Sequence, residues 1–306
     1  MNKKIINKFV AILFVGAIFI AVNSSISFAE SSDADSERAK AMEDTLQLAS
    51  AAGRAETQGR NKVSVGIDQE ILFNRDMKLE NGLYYNIPVG RTISDTEKID
   101  QVYSTMAKVS YGVLDNLDIY LRLGTSNYNS KYNYSETGTV GGLPTGADIG
   151  TVKTKGEYGF AYGVGAKGTY DLTKSWILGC DIQYLRHTND LKINDSWTQY
   201  NVDGSVWGTG SDDYTGKVTV QEWYVAPYVA FKLGNFVPYV GGRYSDLRTD
   251  YKLDWSPDNN KPEFRADHNF GVFLGTDYKI GKNFSINLEG RFVDETAMSF
   301  GATYGF

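Results

Sequence analysis

Seven segments of the chain carry two aromatic residues eight positions apart: Tyr103 and Tyr111, Tyr162 and Tyr170, Trp176 and Tyr184, Trp223 and Phe231, Phe236 and Tyr244, Phe270 and Tyr278, Phe284 and Phe292. Residues an even number apart share one face of an extended strand, so each pair marks one face at two heights. At a ~3.3 Å rise and a ~40° tilt, eight residues climb about 20 Å. Two aromatic rings at that separation are what the two interfaces of a bilayer select, because such rings settle at headgroup level. Between them the same face is mostly Val, Leu, Ile, Ala and Phe, and the opposite face is polar. A soluble β-sandwich has no reason to repeat the interval. The chain is expected to cross a membrane as strands.

Alternation gives ten candidate strands: 62–73, 98–113, 117–126, 157–172, 176–187, 218–233, 236–250, 266–280, 284–292 and 296–306. Four connections are very short, at 114–116, 173–175, 234–235 and 281–283, and consist of turn-forming residues. They are expected to set Val113 against Leu117, Leu172 against Trp176, Leu233 against Phe236 and Ile280 against Phe284. A one-residue slip would put those partners on opposite faces. Longer polar segments, 74–97, 127–155, 189–217 and 251–265, are expected to be loops at the other end. Pro227 and Pro238 fall inside strands, where a missing N–H predicts bulges or shifted strand ends.

The last strand adds a more specific sign. Met298, Phe300, Ala302, Tyr304 and Phe306 share one face, and Ser299, Gly301, Thr303 and Gly305 the other. Alternating apolar residues closing on a terminal Phe resemble the assembly signal of Gram-negative outer-membrane β-barrels. Over 62–306 the chain is similar to the broad family of small outer-membrane barrels that includes opacity and attachment proteins. The resemblance implies an all-β fold, a transmembrane antiparallel barrel of about ten strands. It also implies insertion by the barrel-assembly machinery acting on the last strand.

The start of the chain fits export. Lys3, Lys4 and Lys8, an apolar run over 9–22, and Ser27-Phe28-Ala29 read as a signal peptide cleaved after Ala29. Loss of its three lysines takes the formal charge from −6 to −9, which disfavours nucleic acid. Residues 30–61 are expected to be a periplasmic segment with a short helix, from the spacing of Ala39, Met42 and Leu46. A plug in the lumen is the sharper alternative. The single cysteine, Cys180, precludes an internal disulfide.

Inward positions carry charges of both signs: Asp118, Arg122, Lys167, Glu222, Lys232, Arg243, Glu289 and Arg291. They are expected to form a lumenal network, since a charge left unpaired there costs several kcal/mol. The functional expectation is a narrow passive channel for ions or small solutes, or an envelope-structural barrel. A second expectation is adhesion through the tyrosine-rich segment at Tyr128, Tyr132 and Tyr134. A third is suggested by His187 and His268 near strand ends with Asp190, Asp246, Asp250 and Asp267, an arrangement similar to the omptin proteases. Neither histidine carries that family's local motif, so the chain is expected not to be an enzyme. Two histidines and one cysteine give no zinc set, and Asp212-Asp213 matches no recognised calcium loop. No metal or cofactor is expected.

Overall fold

The computed structural model describes residues 54–81, 92–140, 143–254 and 262–306. The signal peptide and the helical stretch expected before residue 54 lie outside the described residues.

Among the described residues, thirteen strands make one antiparallel sheet. They are β1 (Val63–Asn81), β2 (Thr92–Leu114), β3 (Leu117–Ser126), β4 (Asn129–Val140), β5 (Leu143–Gly156), β6 (Gly159–Asp171) and β7 (Trp176–Tyr200). There follow β8 (Val206–Phe231), β9 (Phe236–Leu253), β10 (Glu263–Ala266), β11 (Phe270–Ile280), β12 (Phe284–Phe292) and β13 (Glu295–Gly305). The pairings close on themselves twice. At the short-turn end the circuit runs β1, β2, β3, β6, β7, β8, β9, β11, β12, β13 and back to β1. Above it a smaller circuit runs β1, β2, β4, β5, β7, β8, β9, β10 and back to β1.

The narrowing has a local cause. The β12–β13 hairpin turns early, at Val293 and Asp294, and β10 bridges the gap above it from β9 to β1. Val293 holds φ at 87°, a strained conformation for a β-branched residue. Asp294 and Glu295 beside it are buried in ion pairs that offset the strain.

Among the described residues the sheet has thirteen strands where ten were expected, because short breaks at 127–128, 157–158 and 267–269 each split one continuous run, although the circuit at the short-turn end is ten strands round. Most residues expected in long loops are strand: β1 runs to Asn81, β4 and β5 form a hairpin over 129–156, and β7 and β8 reach Tyr200 and Val206. Finally, neither proline produces a bulge. Pro227 stays in register with Cys180 and Pro238 with Thr276, while the β8–β9 ladder has no pair between Val225 and Tyr228.

The long-loop error has a physical reason. In the lower section, apolar residues face out and polar ones in. In the upper section the same alternation continues with the chemistry exchanged. Leu191, Ile193, Val218 and Val220 are buried inside, and Lys192, Asn194 and Lys217 face water. A search for outward apolar residues loses the strand where the polarity inverts.

At the turns the register matches expectation in three places, with Ile280 opposite Phe284, Leu233 bridged to Phe236 and Leu172 hydrogen-bonded to Trp176. At the fourth a shift between Gly112 and Leu114 sets Leu114, not Val113, against Leu117.

Candidate functional site: a lumen filled in three layers

Among the described residues, titratable side chains converge in the interior of the closed sheet, in three layers. The lowest layer is the chain's own N-terminal segment. Residues 54–61 are not helical; they pass into the short-turn mouth. The Ala55 amide donates to Asp277 at 2.7 Å, and the Gln58 amide to both Asp118 oxygens at 3.0 Å. Tyr228 donates to the carbonyls of Arg54 and Ala55, and the Arg54 guanidinium meets Glu289 at 3.1 Å. Glu56 lies 2.5 Å from Lys279 and 3.9 Å from Lys232, while Lys167 donates to its carbonyl and stands 3.8 Å from Asp118. Around this segment Ile177, Tyr224, Tyr228, Val237, Tyr239 and Phe273 pack as a small core.

The middle layer is ionic. Arg75 reaches Glu222 at 2.7 Å, Glu295 at 2.9 Å and Ser245 at 2.6 Å, with Asp294 at 3.9 Å. Arg243 binds Glu222 at 2.7 Å and also Glu295, and its guanidinium lies over the Tyr224 ring. Arg291 bridges Glu70 at 2.6 Å and Glu295 at 2.8 Å. Three guanidiniums thus face four carboxylates, and every member but the partly exposed Glu70 is buried. Nearby, Arg122 contacts Asp68 at 3.4 Å and Gln183 at 2.9 Å, and Tyr120 donates to Asp181 at 2.6 Å.

Gly165 makes room for that tyrosine. A Cβ there would stand 2.3 Å from Tyr120 Cζ and 2.6 Å from the Ile182 carbonyl oxygen. Gly165→Ala is therefore expected to cost about 1–3 kcal/mol, by displacing Tyr120 from Asp181. Urea unfolding of the refolded barrel measures it; an unchanged midpoint would contradict the packing described.

The top layer is apolar and fills the smaller circuit. Leu72, Met77, Ile99, Leu191, Val218, Leu247 and Phe264 are among its buried members. Eight strands leave an interior that side chains just fill. One carboxyl is set into it: Glu97, almost fully buried, accepts from Tyr128 at 3.1 Å and from Tyr251. Ser130 and Tyr251 stand 3.2 Å apart beside it, and Oε2 of Glu97 has no partner among the described residues. Burial pushes this carboxyl up to about 7, against the opposing effect of the hydroxyls.

Of the residues singled out in sequence, Asp118, Arg122, Lys167, Glu222, Arg243, Glu289 and Arg291 are buried inside, and Lys232 lies at the mouth, 3.0 Å from Asp171. They do not form one network: Asp118, Lys167, Lys232 and Glu289 hold the N-terminal segment, and Glu222, Arg243 and Arg291 the ionic layer. Sequence reading missed Arg75 and Glu295, which it placed in loops. The register of β1 against β13 shifts between Leu72 and Asn74. That shift moves the inward phase from Glu70 and Leu72 to Arg75 and Met77, so strict alternation could not find them.

The paired aromatics all lie outward, exposed or half-buried. Trp176 packs on Phe231 and Phe236 on Tyr278 at one height, Trp223 on Tyr244 and Tyr244 on Phe270 at the other. Tyr103, Tyr111, Tyr162, Tyr170, Tyr184, Phe284 and Phe292 face the same exterior. Met298, Phe300, Tyr304 and Phe306 are exposed, Ala302 half-buried.

The histidines do not meet an acid inside. His187 is buried with Nδ1 2.6 Å from Asn189 Oδ1, and His268 is exposed, 3.7 Å from its neighbour Asp267. Asp190 pairs with Lys217, and Asp246 lies near Arg248 and Trp223. Tyr128, expected as an exposed contact residue, is fully buried against Glu97. Polarity of its neighbours concealed that its side chain points inward.

A twice-closed antiparallel sheet, apolar outside and ionic within, defines a closed β-barrel. Solved structures that the chain resembles include proteins named for the outer membrane. The outer-membrane protease OmpT from Escherichia coli has 11% identity and a TM-score of 0.49, covering 79% of this chain and 97% of its own. The outer-membrane protein OprG from Pseudomonas aeruginosa has 11% identity and a TM-score of 0.27, covering 81% and 97%. Ail, the attachment invasion locus protein of Yersinia pestis, has 12% identity and a TM-score of 0.25, covering 81% and 99%. No protein-family model and no curated protein matches the chain.

Proposed function

We propose that the chain is an integral protein of the bacterial outer membrane, closed at rest and envelope-structural in role, with its short turns in the periplasm. The observation that carries this reading is the filled lumen, whose three layers differ in chemistry and would have to open together to pass a solute. Placement in the bilayer is supported by the outward belt between the aromatic rings, where Ile67, Val109, Ile119, Leu121, Val164, Ile182 and Val240 are all exposed. An apolar band of that extent is foreign to a soluble surface. The partners of this reading are the lipid bilayer and, through the outward face of Met298–Phe306, the assembly machinery. No enzymatic role is proposed.

A narrow passive channel is the second reading. It is favoured by the way residues 54–60 are held, largely by hydrogen bonds and ion pairs at an open mouth.

Single-channel recording in a planar bilayer separates the two. The refolded barrel is expected to be silent both with and without residues 30–60, since the ionic and apolar layers stay in place. Steps from the untruncated protein would overturn the closed reading. Steps only after truncation would make the segment a plug and the protein a channel.

A further inference from the structure

Glu97 ties the top layer together across the lumen. It projects from β2, six residues beyond Tyr103 of the outer aromatic ring, while Tyr128 leads into β4 and Tyr251 comes from β9. In the smaller circuit β9 and β2 are three pairings apart through β10 and β1, and five apart the other way. A Tyr251 hydroxyl bonded to a carboxyl of β2 therefore spans the opening as a crossbar. Both tyrosines donate to the same oxygen, Oε1. Their hydroxyl oxygens stand 3.0 Å apart, and Ser130 Oγ lies 3.2 Å from that of Tyr251. The rings meet edge to face, Tyr251 against Tyr128 and Phe264, and Phe264 against Tyr132.

The groups packed around this crossbar are uncharged. Met77 of β1 and Tyr132 of β4 flank Glu97 in register. The same layer takes Ile99 from β2, Val152 from β5, Leu191 and Ile193 from β7, Val218 and Tyr214 from β8, Leu247 from β9 and Phe264 from β10. Its titratable neighbours are thus phenols. The inward ionisable groups of the adjoining levels have partners of their own: Arg75 with Glu222 and Glu295, His187 with Asn189, and Asp195 with Tyr134. With both phenol protons directed at Oε1, Oε2 has no partner among the described residues. A neutral carboxyl leaves one O–H unpaired there. An ionised one leaves a charge in an apolar layer, which costs far more. Burial accordingly keeps the proton in place up to about pH 7. Above that, the free oxygen needs donors that water must supply. Water comes from the upper end, because the ionic layer and the N-terminal segment fill the lumen below.

We propose that Glu97, Tyr128 and Tyr251 form a pH-operated latch at the upper end of the barrel, shut while the carboxyl holds its proton and released to water when it ionises. Such a latch adds a control to the closed barrel proposed above and leaves the two lower layers shut. Silence in a bilayer and pH-dependent access to the top layer are therefore separate results. The refolded protein with Cys180→Ala is given a probe thiol in the top layer by Leu191→Cys. Its rate of modification by a bulky, water-soluble maleimide is followed from about pH 5 to about pH 9. Because any thiol reacts faster as it ionises, each rate is divided by that of Lys192→Cys, exposed on the same strand. The ratio is expected to be flat below pH 7 and to rise about tenfold per pH unit above it, as linkage to one proton requires. With Glu97→Gln, which cannot ionise, the ratio should stay low and flat. Ile177→Cys, buried in the lowest layer, should stay protected throughout, which separates local release from unfolding of the barrel. Should Leu191→Cys not fold, Val218→Cys probes the same layer. A ratio independent of pH with Glu97 in place, an equal rise with Glu97→Gln, or modification of Ile177→Cys in step with the top layer would each overturn the latch.

Discussion

Arg75→Ala is expected to lower the unfolding free energy of the barrel by about 3–5 kcal/mol, the cost typical of breaking a buried ion pair from one side. The ionic layer would then hold two guanidiniums, Arg243 and Arg291, against Glu70, Glu222, Glu295 and Asp294. Glu222 and Asp294 would lose one contact each, and Glu295 one of three. Water cannot readily compensate them, because the mouth segment lies below and the apolar layer above. Urea unfolding in lipid vesicles, followed by tryptophan fluorescence, measures the loss. Adding Glu222→Gln should recover part of it, and the cycle of the two changes should show coupling well above the ~0.5 kcal/mol of independent sites. A loss below ~1 kcal/mol would mean that the layer is hydrated and the lumen wetter than described.

Glu97 gives the second large effect, through pH. Its carboxyl titrates near 4.5 when unfolded and about 7 when folded, because burial among Ile99, Leu191 and Phe264 penalises the charged form. The raised folded value means that the proton is bound more tightly in the native state. Its contribution is fully present below about pH 4.5 and is lost as pH rises through 7. The shift corresponds to about 3 kcal/mol. Glu97→Gln keeps an oxygen to accept from Tyr128 and Tyr251 but cannot ionise. The two proteins should have similar stability at pH 5, and the variant should gain over the parent by up to about 3 kcal/mol towards pH 9. Parallel stability curves for the two from pH 5 to 9 would show that Glu97 is hydrated or ion-paired. Because the acid sits in the top layer, hydrogen exchange of β4, β9 and β10 amides should report the loosening first.

Inside, the buried charges largely answer one another and the N-terminal segment, while Oε2 of Glu97 stands without a partner among the described residues.

The sequence by itself determined the section with the outward apolar belt. An outward apolar face bounded by aromatics eight residues apart is a property of single strands, and three of the four short turns confirm its register through their flanking residues. It also showed which residues of that section would be inward, because alternation needs only local geometry. It did not determine where strands ended, since Leu191, Ile193, Val218 and Val220 keep the alternation but exchange inside for outside. Nor could it find Arg75 and Glu295: a register shift is a relation between two strands and is invisible in either alone. Partner choice was likewise decided only in three dimensions. Arg243 and Arg291 were recognisable as lumenal, yet their common partner Glu295 opens a strand just past a tight turn, and Glu289 is matched by Arg54 of the entering segment. Local periodicity fixes the side of the wall on which a residue stands. Closure of the sheet, with the early turn at Val293 and the bridging β10, decides what it meets there.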